Sequence, residues 1–312
     1  MTLQEAADTA VAQCMALEGG EGCTIVTDEE RQPIGEALYD AAVSRGADAA
    51  VLRYQSGDQH GAEPPRPVAA AMRETDVFLA PTTKSLSHTR ARSAATEAGA
   101  RGATLPGITE EVMIAGLDAD YEAIADHCAS VKEQVEDADA VRITSLQGTD
   151  LTIEPGGREW QSDTGINHEA GDFSNLPAGE VFISPLSGHG RVVLDGSMAG
   201  QGRLEQPIVF EVQGGQIVGI EDPTLREQVE AAAEEVGEAA SNLAELGIGT
   251  NVGVTELVGS VLLDEKAAGT VHVAIGDDAS IGGDVEAPLH LDGVLREPTV
   301  HADGEPVELP SP

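Results

Sequence analysis

The chain has 312 residues, 41% hydrophobic but only 3% aromatic, and carries 55 acidic against 17 basic side chains for a net charge of −38. That length accommodates two domains of ordinary size, with a core built from Val, Leu, Ile and Ala. The acidic balance argues against nucleic acid as a partner, because phosphate recognition needs a basic face.

The acids are spread along the whole chain and do not form a tail. This pattern reads as the surface of a folded, halophilic protein, since concentrated salt shortens the range of self-repulsion. Lysine is reduced to Lys84, Lys132 and Lys266. Cys14, Cys23 and Cys128 are odd in number and lack a CxxC spacing, which predicts no disulfide framework and a reducing compartment. The opening MTLQEAADTAVAQC lacks the basic and apolar regions of a secretory signal. No apolar run approaches the ~20 residues that span a membrane. The expectation is a cytoplasmic protein with no membrane partner.

From the N-terminus, strand patterns at 23–28, 49–54, 76–81 and 101–107 alternate with helical ones. Asp28 reads as the N-cap of a helix closing on Gly46. Further helices are expected at 67–75, at 88–100 and over EEVMIAG. Such alternation predicts an α/β domain with a parallel sheet. Neither GxGxxG nor GxxxxGK[ST] opens the first turn, so nucleotide binding has no support. A helix over 119–138 closes this domain, placed at 1–138.

The remainder, 139–312, reads as an α+β domain with a mixed or antiparallel sheet. AVRITSLQGTDLTIEPGG is a hairpin pattern, followed by short strands broken by Gly pairs. The Ala- and Glu-rich stretch 223–246 predicts one long helix, after which come GTVHVAIG and EAPLHLDGVL.

Five polar positions stand out in this second domain. Glu180 enters a strand after a Pro-Ala-Gly turn. Glu245 is expected where the long helix gives way to a Gly-rich loop. His272 sits within an apolar strand. His290 and Asp292, two apart in a strand pattern, point to one face. Singly, each has an ordinary reading as a solvated acid or a satisfied core histidine. Together, imidazoles and carboxylates suit zinc, manganese, iron or cobalt, and carboxylates can bridge a cation pair.

The segments SNLPAGEVFISP, LAELGIGTN, EKAAGTVHVAIGDD and PLHLDGVLREPTVHADG resemble those of the thermophilic metalloprotease (M29) aminopeptidases. The family includes leucyl aminopeptidase-like proteins, and the likeness runs through most of 140–304. In the N-terminal domain SLSHTRARSAATEAGARGATLPG is similar, more weakly. The resemblance implies Glu180, Glu245, His272, His290 and Asp292 as metal ligands, and a homodimer. It implies removal of N-terminal residues from peptides by water activated on two cations (Zn, Co or Mn), with Glu180 bridging the pair or accepting the proton. One departure is plain: the family carries a tyrosine shortly after the strand histidine, where this chain has VAIGDDASIGG, with Ala279 near that place.

The same superfamily includes a ring-cleaving enzyme of the dihydroxypyridine dioxygenase type, which uses one Fe(II) and the HxD pair. That likeness implies pocket-lining roles for His88 and His168, with Lys84 beside the first. A third alternative is a member that binds metal or ligand without catalysis. Glu245, where the oxygenase has a histidine, favours the peptidase type of site.

Overall fold

The computed structural model describes residues 1–311. The chain forms two compact units, one of Met1–Ala125 with Asp163–Ala178, the other of Asp126–Ser162 with the chain from Gly179 onward. The boundary expected at 138 differs from this division in two respects. The helix Tyr121–Val135 runs through the crossing point instead of ending at it. Residues 163–178 also return to the first unit, because Phe173–Asn175 pairs parallel with Arg101–Pro106.

The first unit is built on a parallel sheet with strand order Asp48–Arg53, Gly22–Thr27, Val77–Thr82, Arg101–Pro106, Phe173–Asn175. Strand Val77–Thr82 is buried at every position and apolar over most of its length, as a parallel strand covered on both faces requires. Strand Asp48–Arg53, at the edge, is half exposed. Val26, Met72, Phe78, Leu86 and Ala95 form one buried cluster, with the Phe78 and Phe173 rings stacked at 6.4 Å. Thr89 and Thr109 cap the helices Arg90–Glu97 and Glu110–Leu117. Asp28 does not cap a helix as expected. Its carboxylate accepts from the N–H groups of Glu30 and Arg31 in a turn and from Thr83 at 2.5 Å, and the helix begins only at Gln32.

The second unit contains two sheets whose paired strands run antiparallel. One holds the expected hairpin Val141–Thr144 and Asp150–Glu154. The other sets four strands side by side in the order His290–Leu295, Val271–Gly276, Leu243–Gly249, Glu180–Ile183.

One element departs from the sequence pattern. The helix expected over 223–246 stops at Val236, ended by Gly237 with φ +65°, and a 3-10 turn over Gly237–Ser241 follows. Residues Leu243–Gly249 then form a strand buried at all seven positions. Helix propensity is a weak prior, and here pairing on both strand edges outweighs it. Glu245 therefore stands in the middle of a sheet and not at a helix end. Among the described residues no helix is long and apolar enough to cross a membrane.

Candidate metal centre

The sheet register brings the predicted residues together. Residues directly opposite in an antiparallel pair lie on the same face, as do residues two apart in one strand. Ala274 is opposite both Glu245 and Asp292. His272 precedes Ala274 by two, and His290 precedes Asp292 by two. His272 is opposite Gly247, and Glu180 is opposite Gly249. Four neighbouring strands thus present Glu180, Glu245, His272, His290 and Asp292 on one face. The small residues Gly247, Gly249 and Ala274 leave room between them. The Leu243–Glu245 stretch also carries a register shift, a device that re-aims a side chain within a strand.

Glu245 lies between the two imidazoles. Its Oε1 is 3.2 Å from His272 Nε2 and its Oε2 is 3.3 Å from His290 Nε2. Asp292 Oδ1 is 3.3 Å from His290 Nε2. Glu180 Oε2 is 3.4 Å from His272 Nε2 and is buried without a hydrogen bond. His290 Nδ1 lies 2.7 Å from the backbone carbonyl of Asp277. A proton donated there leaves Nε2 turned toward the carboxylates, the arrangement that orients a metal-binding imidazole. His290 is the member that reaches solvent, with 32% of its side chain exposed against 1% for His272.

Two residues that the sequence did not single out complete the cluster. Glu265 joins His272 and Asp292 in a third group of close donors. The Lys266 ammonium contacts Glu180 Oε1 and lies 2.9 Å from Glu265 Oε1. Both follow the short helix Val261–Asp264 in a turn with no periodic pattern to mark them.

Four acids crowd two imidazoles and one ammonium, and the protonation states respond. Burial opposes the charged form of His272, but Glu245, Glu180 and Glu265 outweigh it and raise its pKa to about 9. Burial likewise opposes charge on His290, and Asp292 and Glu245 overcome it. Glu245 is held well below the ordinary carboxylate range: burial works against this, and hydrogen bonds from the two histidines prevail. For Glu180, burial dominates over the attraction of Lys266 and His272 and pushes the carboxyl up to about 8.

The donor set fits divalent cations. Two groups of three donors, Glu180–Glu245–His272 and Glu245–His290–Asp292, each draw their atoms within 4.8 Å of one another and share Glu245. A buried carboxylate oxygen without a hydrogen bond is costly unless something pairs with it, and Glu180 Oε2 is such an atom.

The other sequence candidates lie in the first unit. His168 Nε2 is 2.7 Å from the backbone carbonyl of Gln13. Lys84 offers its carbonyl to Thr82, and His88 follows it in the turn before helix Arg90–Glu97. Ala279 stands in a 3-10 turn, Ala279–Ile281, between the strands of His272 and His290. The three tyrosines, Tyr39, Tyr54 and Tyr121, all belong to the first unit.

Among solved structures, 2,5-dihydroxypyridine dioxygenase from Pseudomonas putida KT2440 is similar with a TM-score of 0.81 at 17% identity, covering 98% of this chain and 94% of that one. Wild-type AmpT from Thermus thermophilus is similar with a TM-score of 0.69 at 20% identity, covering 98% and 99%. At such identities these likenesses establish the shared fold. No curated protein matches. The resemblance to the M29 aminopeptidases thus has a counterpart in fold, while the family match lies elsewhere. The model of NicX: 2,5-dihydroxypyridine 5,6-dioxygenase matches residues 3–309, and the chain belongs to that family.

Proposed function

We propose that this chain is a metallohydrolase of the aminopeptidase type, holding two divalent cations on the sheet face of its second unit. The observation that carries this reading is Glu245. It divides its two oxygens between two imidazoles and belongs to two donor groups, each of one histidine and two carboxylates. A shared carboxylate between two oxygen-rich seats suits a pair of zinc, cobalt or manganese ions. In this reading Glu245 would be the shared carboxylate, the part that the family resemblance offers to Glu180.

Bound there, the cations would lower the pKa of a water toward ~7 and polarise a scissile carbonyl. Glu180 would hold one cation through Oε2, its oxygen without a hydrogen bond. His290 and Asp292 line the side open to solvent, where the acidic surroundings favour a peptide's free α-ammonium. Hydrolysis then divides the amide, the amine taking the proton and the acyl carbon the oxygen of water.

The family match supports a second reading, a single-iron ring-cleaving oxygenase. A facial triad for such iron needs two histidines and one carboxylate around one position. Among the described residues, no group of three close donors contains both His272 and His290, which favours the hydrolase. Metal analysis of protein purified in concentrated salt, with aminoacyl-nitroanilide turnover and oxygen uptake on 2,5-dihydroxypyridine, decides between the readings. Two equivalents of Zn, Co or Mn with nitroaniline release support the hydrolase. One iron with oxygen uptake overturns it in favour of the oxygenase.

A further inference from the structure

We infer that Lys266 is a positioning residue of the metal centre. It fixes Glu180 for one oxygen's use and keeps Glu265 from serving as a ligand, so the Glu265–His272–Asp292 group takes no cation. The inference rests on the two-cation reading and adds which of the three donor groups are open.

Lys266 is almost fully buried, with 3% of its side chain exposed. A buried ammonium is costly unless paired, and its partners here are Glu180 Oε1 and Glu265 Oε1. The backbone holds it in place: the Lys266 carbonyl accepts from Asn251 N–H at 2.8 Å, and the Asn251 carbonyl accepts from Ala268 N–H at 3.1 Å. The position is therefore defined by the turn and not by a free side-chain tether.

The two oxygens of Glu180 are consequently unequal. Oε1 is taken by the ammonium, while Oε2 is buried, lacks a hydrogen bond and lies near His272 Nε2. A monodentate ligand atom is selected in advance. Glu265 meets the same ammonium through its Oε1, but unlike Glu180 it has no oxygen among the buried atoms without a hydrogen bond, so the pair with Lys266 is its only assigned use. With cations bound, the four acids ionised and the histidines neutral, Glu180, Glu245, Glu265 and Asp292 together with Lys266 would carry a net three negative charges against the four positive charges of two divalent cations. Without Lys266, the balance would favour stronger cation binding.

The test is Mn2+ titration of metal-stripped protein in concentrated salt, read by calorimetry and by bound equivalents after desalting. In Glu265→Gln, two equivalents and an affinity within about tenfold of the parent are expected, because this carboxylate is not a ligand and its lost charge acts only through space. Loss of one equivalent, or a fall in affinity of more than about tenfold, the scale on which metal sites respond to losing a supporting group, overturns the inference. In Lys266→Met, Mn2+ affinity should rise by about tenfold or more as a neighbouring like charge is removed, while turnover falls. Lys266→Arg should stay near the parent affinity. Weaker Mn2+ binding in a folded Lys266→Met variant would mean that the ammonium does not stand against a cation at Glu265, and would overturn the claim that it keeps that carboxylate from serving as a ligand. Should Lys266→Met fail to fold, Glu265→Gln decides alone. If the parent binds no Mn2+, the two-cation reading fails. If the parent binds two and Glu265→Gln loses one, only the present inference fails.

Discussion

His272 lies directly across from Gly247 in the neighbouring strand, and its imidazole occupies the space that a side chain at Gly247 would fill. A Cβ there would overlap Cε1 and Nε2 of the ring. The absent side chain is thus part of the site, because it lets the imidazole lie across the strand toward Glu245.

Gly247→Ala should therefore displace His272 while leaving the sheet paired. Metal affinity is expected to drop by roughly 10–100-fold, the scale seen when the support of a metal-binding histidine is lost. Calorimetric titration with Zn2+ or Mn2+ measures it. An unchanged affinity would show that the ring position does not matter for binding.

His290→Ala and Glu180→Gln remove donors from different groups. Each should reduce the bound metal from two equivalents to one, with a melting transition retained. Loss of one cation removes several kcal/mol of transition-state stabilisation, so turnover should fall by about 10³-fold or more. Metal analysis after gel filtration checks the stoichiometry. Two equivalents retained in His290→Ala would remove that residue from the ligand set.

The metal-free protein should lose stability as pH rises from about 6.5 to 9. His272, raised from 6.5 to about 9, stabilises the fold fully below 6.5 and loses that contribution as pH climbs through 9. Glu180, raised from 4.5 to about 8, acts in the same direction, its contribution lost as pH passes 8. Glu245 acts oppositely, because its pKa is lowered. Its contribution is present above 4.5 and lost only as pH falls further. Metal affinity should move the other way and strengthen with pH, since ligation displaces protons from the histidines. Thermal melts in chelator across this range, and proton release on adding Zn2+, measure both trends. A melting temperature that climbs from pH 6.5 to 9 without metal would contradict the assignment.

Asp278 secures the loop between the strands of His272 and His290. Its carboxylate accepts from Val285 N–H at 2.7 Å, and from Ser184 Oγ and Asn242 Nδ2 at 2.9 Å each. Its neighbour Asp277 supplies the carbonyl beside His290 Nδ1. Asp278→Ala should destabilise the protein by about 1–3 kcal/mol through the donors left unpaired, and should weaken metal binding although Asp278 belongs to no donor group. Denaturant unfolding with parallel metal titration separates the two effects.

Much of this was legible in the sequence where a period could carry it. The strand–helix alternation of the first unit gave its parallel sheet, and the spacing of His290 and Asp292 gave a shared face. Glu245 reads as the end of a helix in the sequence, because Ala and Glu are good helix formers and the strand pairing that overrides them is non-local. Lys266 and Glu265 lie in a turn, which has no period to mark them, and the scarcity of lysine is the one signal the sequence offers for Lys266. The return of residues 163–178 to the first sheet rests on a three-residue strand, too short for any pattern.

The five candidate ligands come from four strands that are neighbours in space but far apart along the chain. A cation held among them would act as a staple as well as a reagent. By closing long loops and binding only the paired sheet, it would add its binding free energy to folding. In a chain of net charge −38 it would do so where buried acids are densest. Dilution of salt and loss of metal would then weaken the same place, so the purified protein should tolerate either one alone better than both together.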